Sequence, residues 1–160
     1  MTLITITRFV ALLSTGLLAG IFLGNRLGSS FALPKLPVPS FIQFQQAVHI
    51  KYVRFMPALQ IAAILSSLAW LFLLGSSSSR PEFALLAVTA AGSVMVFAIT
   101  LIVNVPINKK LMTWSASAPP ANVSELWKPW EKGNTVRTIL AAGVFVLELS
   151  ALILASPAKP

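Results

Sequence analysis

Seven polar side chains in this sequence have the types and the spacing to do chemistry. They fall into three groups: Gln46 and His49, then Asn104 and Asn108, then Trp130, Asn134 and Arg137. Within each group the members stand three or four positions apart, so a helix would stack them along one face. Amides give and take hydrogen bonds, a guanidinium is a fixed cation with five donors, and an imidazole exchanges a proton near neutral pH. Such a set can hold a ligand's polar atoms and move one proton. Several members also have a plainer use. His49 can be satisfied by lipid headgroups, Asn104 can serve the carbonyl that Pro106 leaves without a donor, and Arg137 can reach for the membrane surface. Trp130, like Trp127, can belong to an interfacial aromatic belt.

What the chain lacks narrows the chemistry. With no cysteine there is no disulfide, thiolate metal site or thiol chemistry, and a single histidine rules out a bis-His haem or a multi-histidine metal site within one chain. The sequence contains no paired carboxylates, no nucleophile–His–Asp set, no glycine-rich phosphate loop and no metal-ligand spacing, which argues against hydrolysis, phosphoryl transfer and metal chemistry. Glu148 is a lone carboxyl group, about 20 Å along a helix axis from Asn134, and stands apart from the polar groups.

The elements that must position these groups are apolar. Hydrophobic residues make up 56% of the 160 and charged residues only 10%, with a mean hydropathy of +0.84, whereas about a quarter of a soluble domain is charged. Four apolar runs each approach the roughly 20 residues that cross about 30 Å of hydrocarbon. The expected fold is all-α: a transmembrane four-helix bundle of up-down topology. It forms a single integral membrane domain over residues 1–160, with spans near 3–24, 53–74, 83–104 and 134–155. The net charge of +8 invites a nucleic-acid reading. The basic residues, however, flank apolar spans in short loops, so the expected partner is the lipid bilayer and no nucleic acid. The first apolar run is long for a signal peptide, and "GNRLGSS" after it lacks an A-x-A-like cleavage site, so it reads as a retained span.

Residues 25–40 carry Pro34, Pro37 and Pro39 and read as a loop. The second helix is expected from Ser40, as N-cap, to about Leu74, with a kink at Pro57. "GSSSSRP" reads as a tight turn and "SASAPPANVS" as the third loop, with the fourth helix starting near Trp127 or Trp130. Gly16, Gly20 and Gly24 form a small-residue stripe that serves close packing within the bundle, or could join two copies as a homo-oligomer. With four spans, nine of the twelve cations fall on the side of the first and third loops, leaving Arg8, Arg80 and Lys159 on the other. The positive-inside rule then places loops 25–52 and 105–133 in the cytoplasm and both termini outside. The second helix enters, the third leaves and the fourth enters at that same face. Their polar stripes are costly against lipid, so they are expected to meet in one pocket at the mouth of the bundle.

Two stretches carry a family resemblance. "NVPINKKLMTW" and, further along, "WEKGNTVRTILAA" resemble the anthrone-oxygenase-like family of small four-span membrane proteins. Its members show an N-V-P-x-N run ending the third span and a W-x-x-x-N-x-x-R-T run opening the fourth. Here these are Asn104, Val105, Pro106 and Asn108, then Trp130, Asn134, Arg137 and Thr138. The resemblance implies oxidation of a flat, hydrophobic polyphenolic anthrone to a quinone by O2, with no flavin, haem or metal cofactor. On that reading His49 is the base, and Gln46 orients substrate or base. Arg137, Asn104, Asn108 and Asn134 hold the developing oxyanion, and Trp130 stacks on the ring system. The competing reading is a non-catalytic membrane accessory subunit or a quinone- or lipid-binding protein that uses the same pocket without turnover. A transporter is a third reading, but it needs two accessible sides and the polar residues crowd one end.

Overall fold

Once water is absent, long runs of Leu, Ile, Val, Ala and Phe leave each backbone N–H and C=O to be satisfied within its own segment, and a helix does so. The chain accordingly forms four helical rods: α1 (Leu3–Lys35), α2 (Val38–Leu74), α3 (Pro81–Leu111) and α4 (Val123–Ala155). The structure is a computed structural model that describes residues 2–74 and 80–155, and no strand occurs among them. All four rods are long and apolar enough to cross a bilayer. In the most apolar window of α1 only 33% of residues are buried inside the protein, and 28% in each of the others. The remaining faces, which present side chains as exposed as Phe72 and Ile102, need hydrocarbon around them. The chain is an integral membrane protein.

The helices are longer than the proline pattern suggests. Residues 25–35, expected as loop, stay helical through a π turn at Asn25–Ser29, a short α stretch at Ser30–Ala32 and a 3-10 turn at Leu33–Lys35. Pro34 stands in the first turn of that last piece, and Pro39 in the first turn of α2, which starts at Val38 rather than Ser40. At those positions a missing N–H costs nothing. The break shrinks to Leu36 and Pro37, with Leu36 extended (φ −81, ψ 148), as a residue before proline prefers. Nor does α3 stop at Asn104. It widens into a π turn at Thr100–Asn104 and continues as α-helix over Val105–Leu111, with Pro106 in the first turn of that piece. The wide turn absorbs the hydrogen bond that proline cannot make. The fourth helix begins at Val123, a turn before Trp127. The turn expected at "GSSSSRP" lies, through residue 79, outside the described residues.

Each rod packs against two neighbours, in the order α1–α2–α3–α4 and back to α1. Phe22, Ala63, Val96 and Ala141 fill the middle of this ring, and Ala11, Trp70, Leu86 and Ala151 fill one end. Leu33, Phe41, Ile42, Leu111, Trp127 and Trp130 form a third apolar cluster at the other. Glycine sets the approach of α3 to α4. A Cβ on Gly133 would stand 2.9 Å from Val103 Cγ1 and 3.1 Å from Asn104 Oδ1, and one on Gly92 would stand 2.7 Å from Val144 Cγ2. Of the glycine stripe on α1, a Cβ on Gly16 would stand 3.0 Å from the Phe145 ring, while one on Gly20 or Gly24 would meet nothing from a neighbouring helix within 4 Å. Glu148 is fully buried in the ring interior. Thr15 donates to its Oε2 and Ser67 to its Oε1, both at 2.6 Å, so it ties α1, α2 and α4 together.

Candidate functional site

At the end of the bundle capped by Trp127 and Trp130 the four rods part around a cavity of about 180 Å3. One ordered water needs about 10–15 Å3 on the same measure, so the space takes a multi-ring ligand. From α1 it is lined by Phe22 and Asn25. Gln45, His49, Tyr52, Met56 and Gln60 line it from α2, Phe97, Thr100 and Asn108 from α3, and Trp127, Trp130 and Arg137 from α4. Periodicity explains the α2 wall. Residues 45, 49, 52, 56 and 60 recur at three or four positions, which keeps one face of a long helix inward. On α3 the π turn carries Thr100 at its start and Asn104 at its end, and its extra residue per turn rotates the following stretch so that Asn108 also faces inward.

Arg137 is the centre of the polar wall. It is 8% exposed, and its Nε and Nη2 both donate to Asn134 Oδ1, at 3.1 and 3.0 Å. Nη1 donates to Thr100 Oγ1 at 3.5 Å, an oxygen that also accepts from Gln60 Nε2 at 3.1 Å. The guanidinium lies over the Phe22 ring, 4.6 Å from its centroid, and 5.3 Å from the Trp130 ring. No carboxylate pairs with it among the described residues. Glu131, on the same helix, instead accepts from Trp127 Nε1 at 3.2 Å. Three of the five guanidinium N–H groups are thus committed to neutral oxygens, and two are left over. A buried cation held by amides and rings, with spare donors beside a cavity, is arranged to receive an anion or a strong acceptor oxygen.

The structure brings His49, Asn108, Trp130 and Arg137 together on the cavity wall. The other three nominated residues stand behind it. Asn134 is fully buried and clamped from both sides: its Oδ1 holds Arg137 while its Nδ2 donates to Asn25 Oδ1 at 3.0 Å. Asn104, also fully buried, donates to the Trp130 carbonyl at 3.1 Å, which fixes α3 against α4 at the tryptophan. Gln46 donates to the carbonyls of Leu111 and Trp114, at 3.0 and 2.9 Å, so it fastens the end of α3 and the following loop to α2. Asn25 and Tyr52 were not singled out by sequence reasoning. Asn25 follows a long apolar run, and its partner lies 109 positions away. Tyr52 offers a better signal, since it falls three positions after His49 on the same face.

The walls other than Arg137 are largely apolar and aromatic, with Phe22, Tyr52, Phe97, Trp127 and Trp130 around the space. Trp127 and Trp130 are stacked, 4.4 Å apart at 18°. Such a pocket suits a flat, hydrophobic ring system whose oxygen reaches the guanidinium while a carbon or hydroxyl lies within reach of an imidazole. No curated protein and no solved structure matches the chain. The sequence profile of the anthrone oxygenase family matches residues 44–147, a stretch that holds the whole of the α2, α3 and α4 walls, and the chain belongs to that family.

Proposed function

We propose that the protein is a membrane oxygenase that converts an anthrone-type polyphenol to the corresponding quinone with O2, using no cofactor. One observation carries this reading: Arg137 is buried, with no carboxylate paired to it among the described residues, beside an aromatic-walled cavity that His49 also lines. The methylene carbon of an anthrone is acidified by two flanking rings and by the ketone across the central ring. His49 takes one proton from it, and the negative charge moves onto the ketone oxygen, where the spare N–H groups of Arg137 and the Asn108 amide stabilise it. That anion is electron-rich enough to reduce O2. One electron passes, the radical pair combines, and a C–O bond forms at the former methylene carbon. The protonated imidazole returns its proton to the peroxide. Loss of the remaining C–H proton with cleavage of the O–O bond then gives the quinone carbonyl and one water. Both oxygen atoms are accounted for, one in the quinone and one in the water. Trp130 and Tyr52 hold the ring plane, and the surrounding apolar walls keep bulk water from the anion. A membrane site also suits two reactants that partition into hydrocarbon.

The test is oxygen uptake by the purified protein in lipid nanodiscs with an anthrone, set against empty nanodiscs to subtract autoxidation. The expected result is one O2 consumed and one quinone formed per anthrone, at a rate that falls on His49→Ala. Quinone binding without uptake above the empty-disc rate would replace the enzyme by a binding protein.

A further inference from the structure

A second hollow, of about 420 Å3, lies beside the first and belongs to none of the chemistry above. Its walls come from the end of α1, the start of α2 and the start of α4, and they are mostly apolar, with Leu33, Leu36, Phe41 and Val123 among them. Among the described residues, Trp127 alone lines both spaces. Its indole is the partition, and it is sandwiched: Trp130 is stacked on the cavity side, while the Phe41 ring meets it edge-on, 5.5 Å away at 81°. The indole N–H donates to Glu131, which lines the outer hollow, so the bond that holds the partition in place is reached from the outer side. Lys128 and Glu131 both face that hollow. Their opposite charges select for neither an anion nor a cation, which disfavours an anionic lipid headgroup and suits a neutral ring system.

We infer that the outer hollow is a second binding site for the flat aromatic substrate, an antechamber from which it passes inward when Trp127 swings aside. This rests on the proposed function, since the occupant is that substrate. Its ring plane replaces Phe41 or Trp130 against the Trp127 face at each stage of transfer. The site is tested by equilibrium dialysis of 9,10-anthraquinone against the full chain in nanodiscs, corrected with empty discs. The expected stoichiometry is two per chain. Filling the outer hollow with Ser124→Trp, or independently with Leu36→Trp, leaves one, and Met56→Trp, which narrows the inner cavity that Met56 lines, also leaves one. Both filling variants should lower kcat/KM for the anthrone by about tenfold or more, with the single-turnover rate of preloaded protein unchanged. One quinone per wild-type chain, lost in Met56→Trp and kept in both variants that fill the outer hollow, overturns the antechamber and leaves the proposed function standing. A second equivalent that survives both filling variants equally overturns it, because that molecule then sits among lipid. No binding at all overturns the proposed function, and the antechamber with it.

Discussion

Replacing Arg137 separates the proposed chemistry from mere packing. A guanidinium about 4 Å from a developing phenolate, at the effective dielectric of about 20 that suits partly buried pairs, contributes about 4 kcal/mol. At about 1.4 kcal/mol per decade this corresponds to a factor near 10³, the upper end of the 10²–10³ lost when one oxyanion-hole donor is removed. The anion exists only after deprotonation, so Arg137→Gln should lose this in kcat and leave KM little changed. Folding responds in two directions. The fully buried Asn134 Oδ1 loses two donors, at a cost of about 1–3 kcal/mol, while a buried cation without a carboxylate partner disappears. The variant should therefore stay folded, with a modestly lower melting temperature. Arg137→Lys keeps the charge but cannot donate twice to Asn134 or lie flat over Phe22, so its kcat should fall between wild type and Gln. The assay is stopped-flow quinone absorbance alongside oxygen uptake, with thermal melting in the same nanodiscs. A folded Arg137→Gln protein with kcat within about threefold of wild type refutes the assignment. Loss confined to KM would make Arg137 a ground-state binder with no share in the oxygen chemistry.

Other positions give sharper tests of the packing. Gly133→Ala places a methyl 2.9 Å from Val103 Cγ1, an overpacking worth about 1–3 kcal/mol that outweighs the roughly 1 kcal/mol gained by removing a helical glycine. Gly20→Ala meets nothing within 4 Å and should be neutral or stabilising; melts of the two variants that move in the same direction would contradict this packing. Glu148→Leu should leave stability within about 1 kcal/mol, because Thr15 and Ser67 already reach the carbonyls of Ala11 and Ala63 at 2.8 and 2.7 Å. It should also leave oxygen uptake unchanged, and a folded but inactive Glu148→Leu protein would draw that carboxyl into the reaction. The chain has no cysteine, so single Ser117→Cys and Thr2→Cys variants can report topology. An impermeant maleimide added outside intact cells should label Thr2→Cys and spare Ser117→Cys, and the reverse pattern would invert the orientation.

The helices were legible because hydropathy is a property of composition and needs no knowledge of partners. Their ends were not. Pro34 and Pro39 read as breaks, yet each falls in a first turn where proline is tolerated. The π turns that let the rods run on past Gly24 and Ile99 have no signature in residue type. Helical spacing also could not decide between Gln45 and Gln46, which stand about 100° apart on the same helix. The structure turns Gln45 to the cavity and spends Gln46 on two backbone carbonyls across the bundle. Asn25 was out of reach for a different reason: its use is defined wholly by Asn134, on the last helix.

Gln46 and Asn25 together explain how a short chain builds a polar site in a membrane. The cavity-lining guanidinium of Arg137 needs a second polar group to aim it, because no water lies in the hydrocarbon to do so. Asn134 shows the logic most clearly. An amide is a donor at one end and an acceptor at the other, so Asn25, by accepting from the NH2 end, leaves the oxygen to face Arg137. The guanidinium is thereby held by a neutral dipole rather than a carboxylate, which keeps its charge available for a ligand. An aspartate at position 134 would hold it more tightly and neutralise it. Asn134→Asp should therefore raise the melting temperature and depress kcat together, a pairing that simple damage to the fold does not produce. Retained activity at higher stability would show that Arg137 does not act as a free cation.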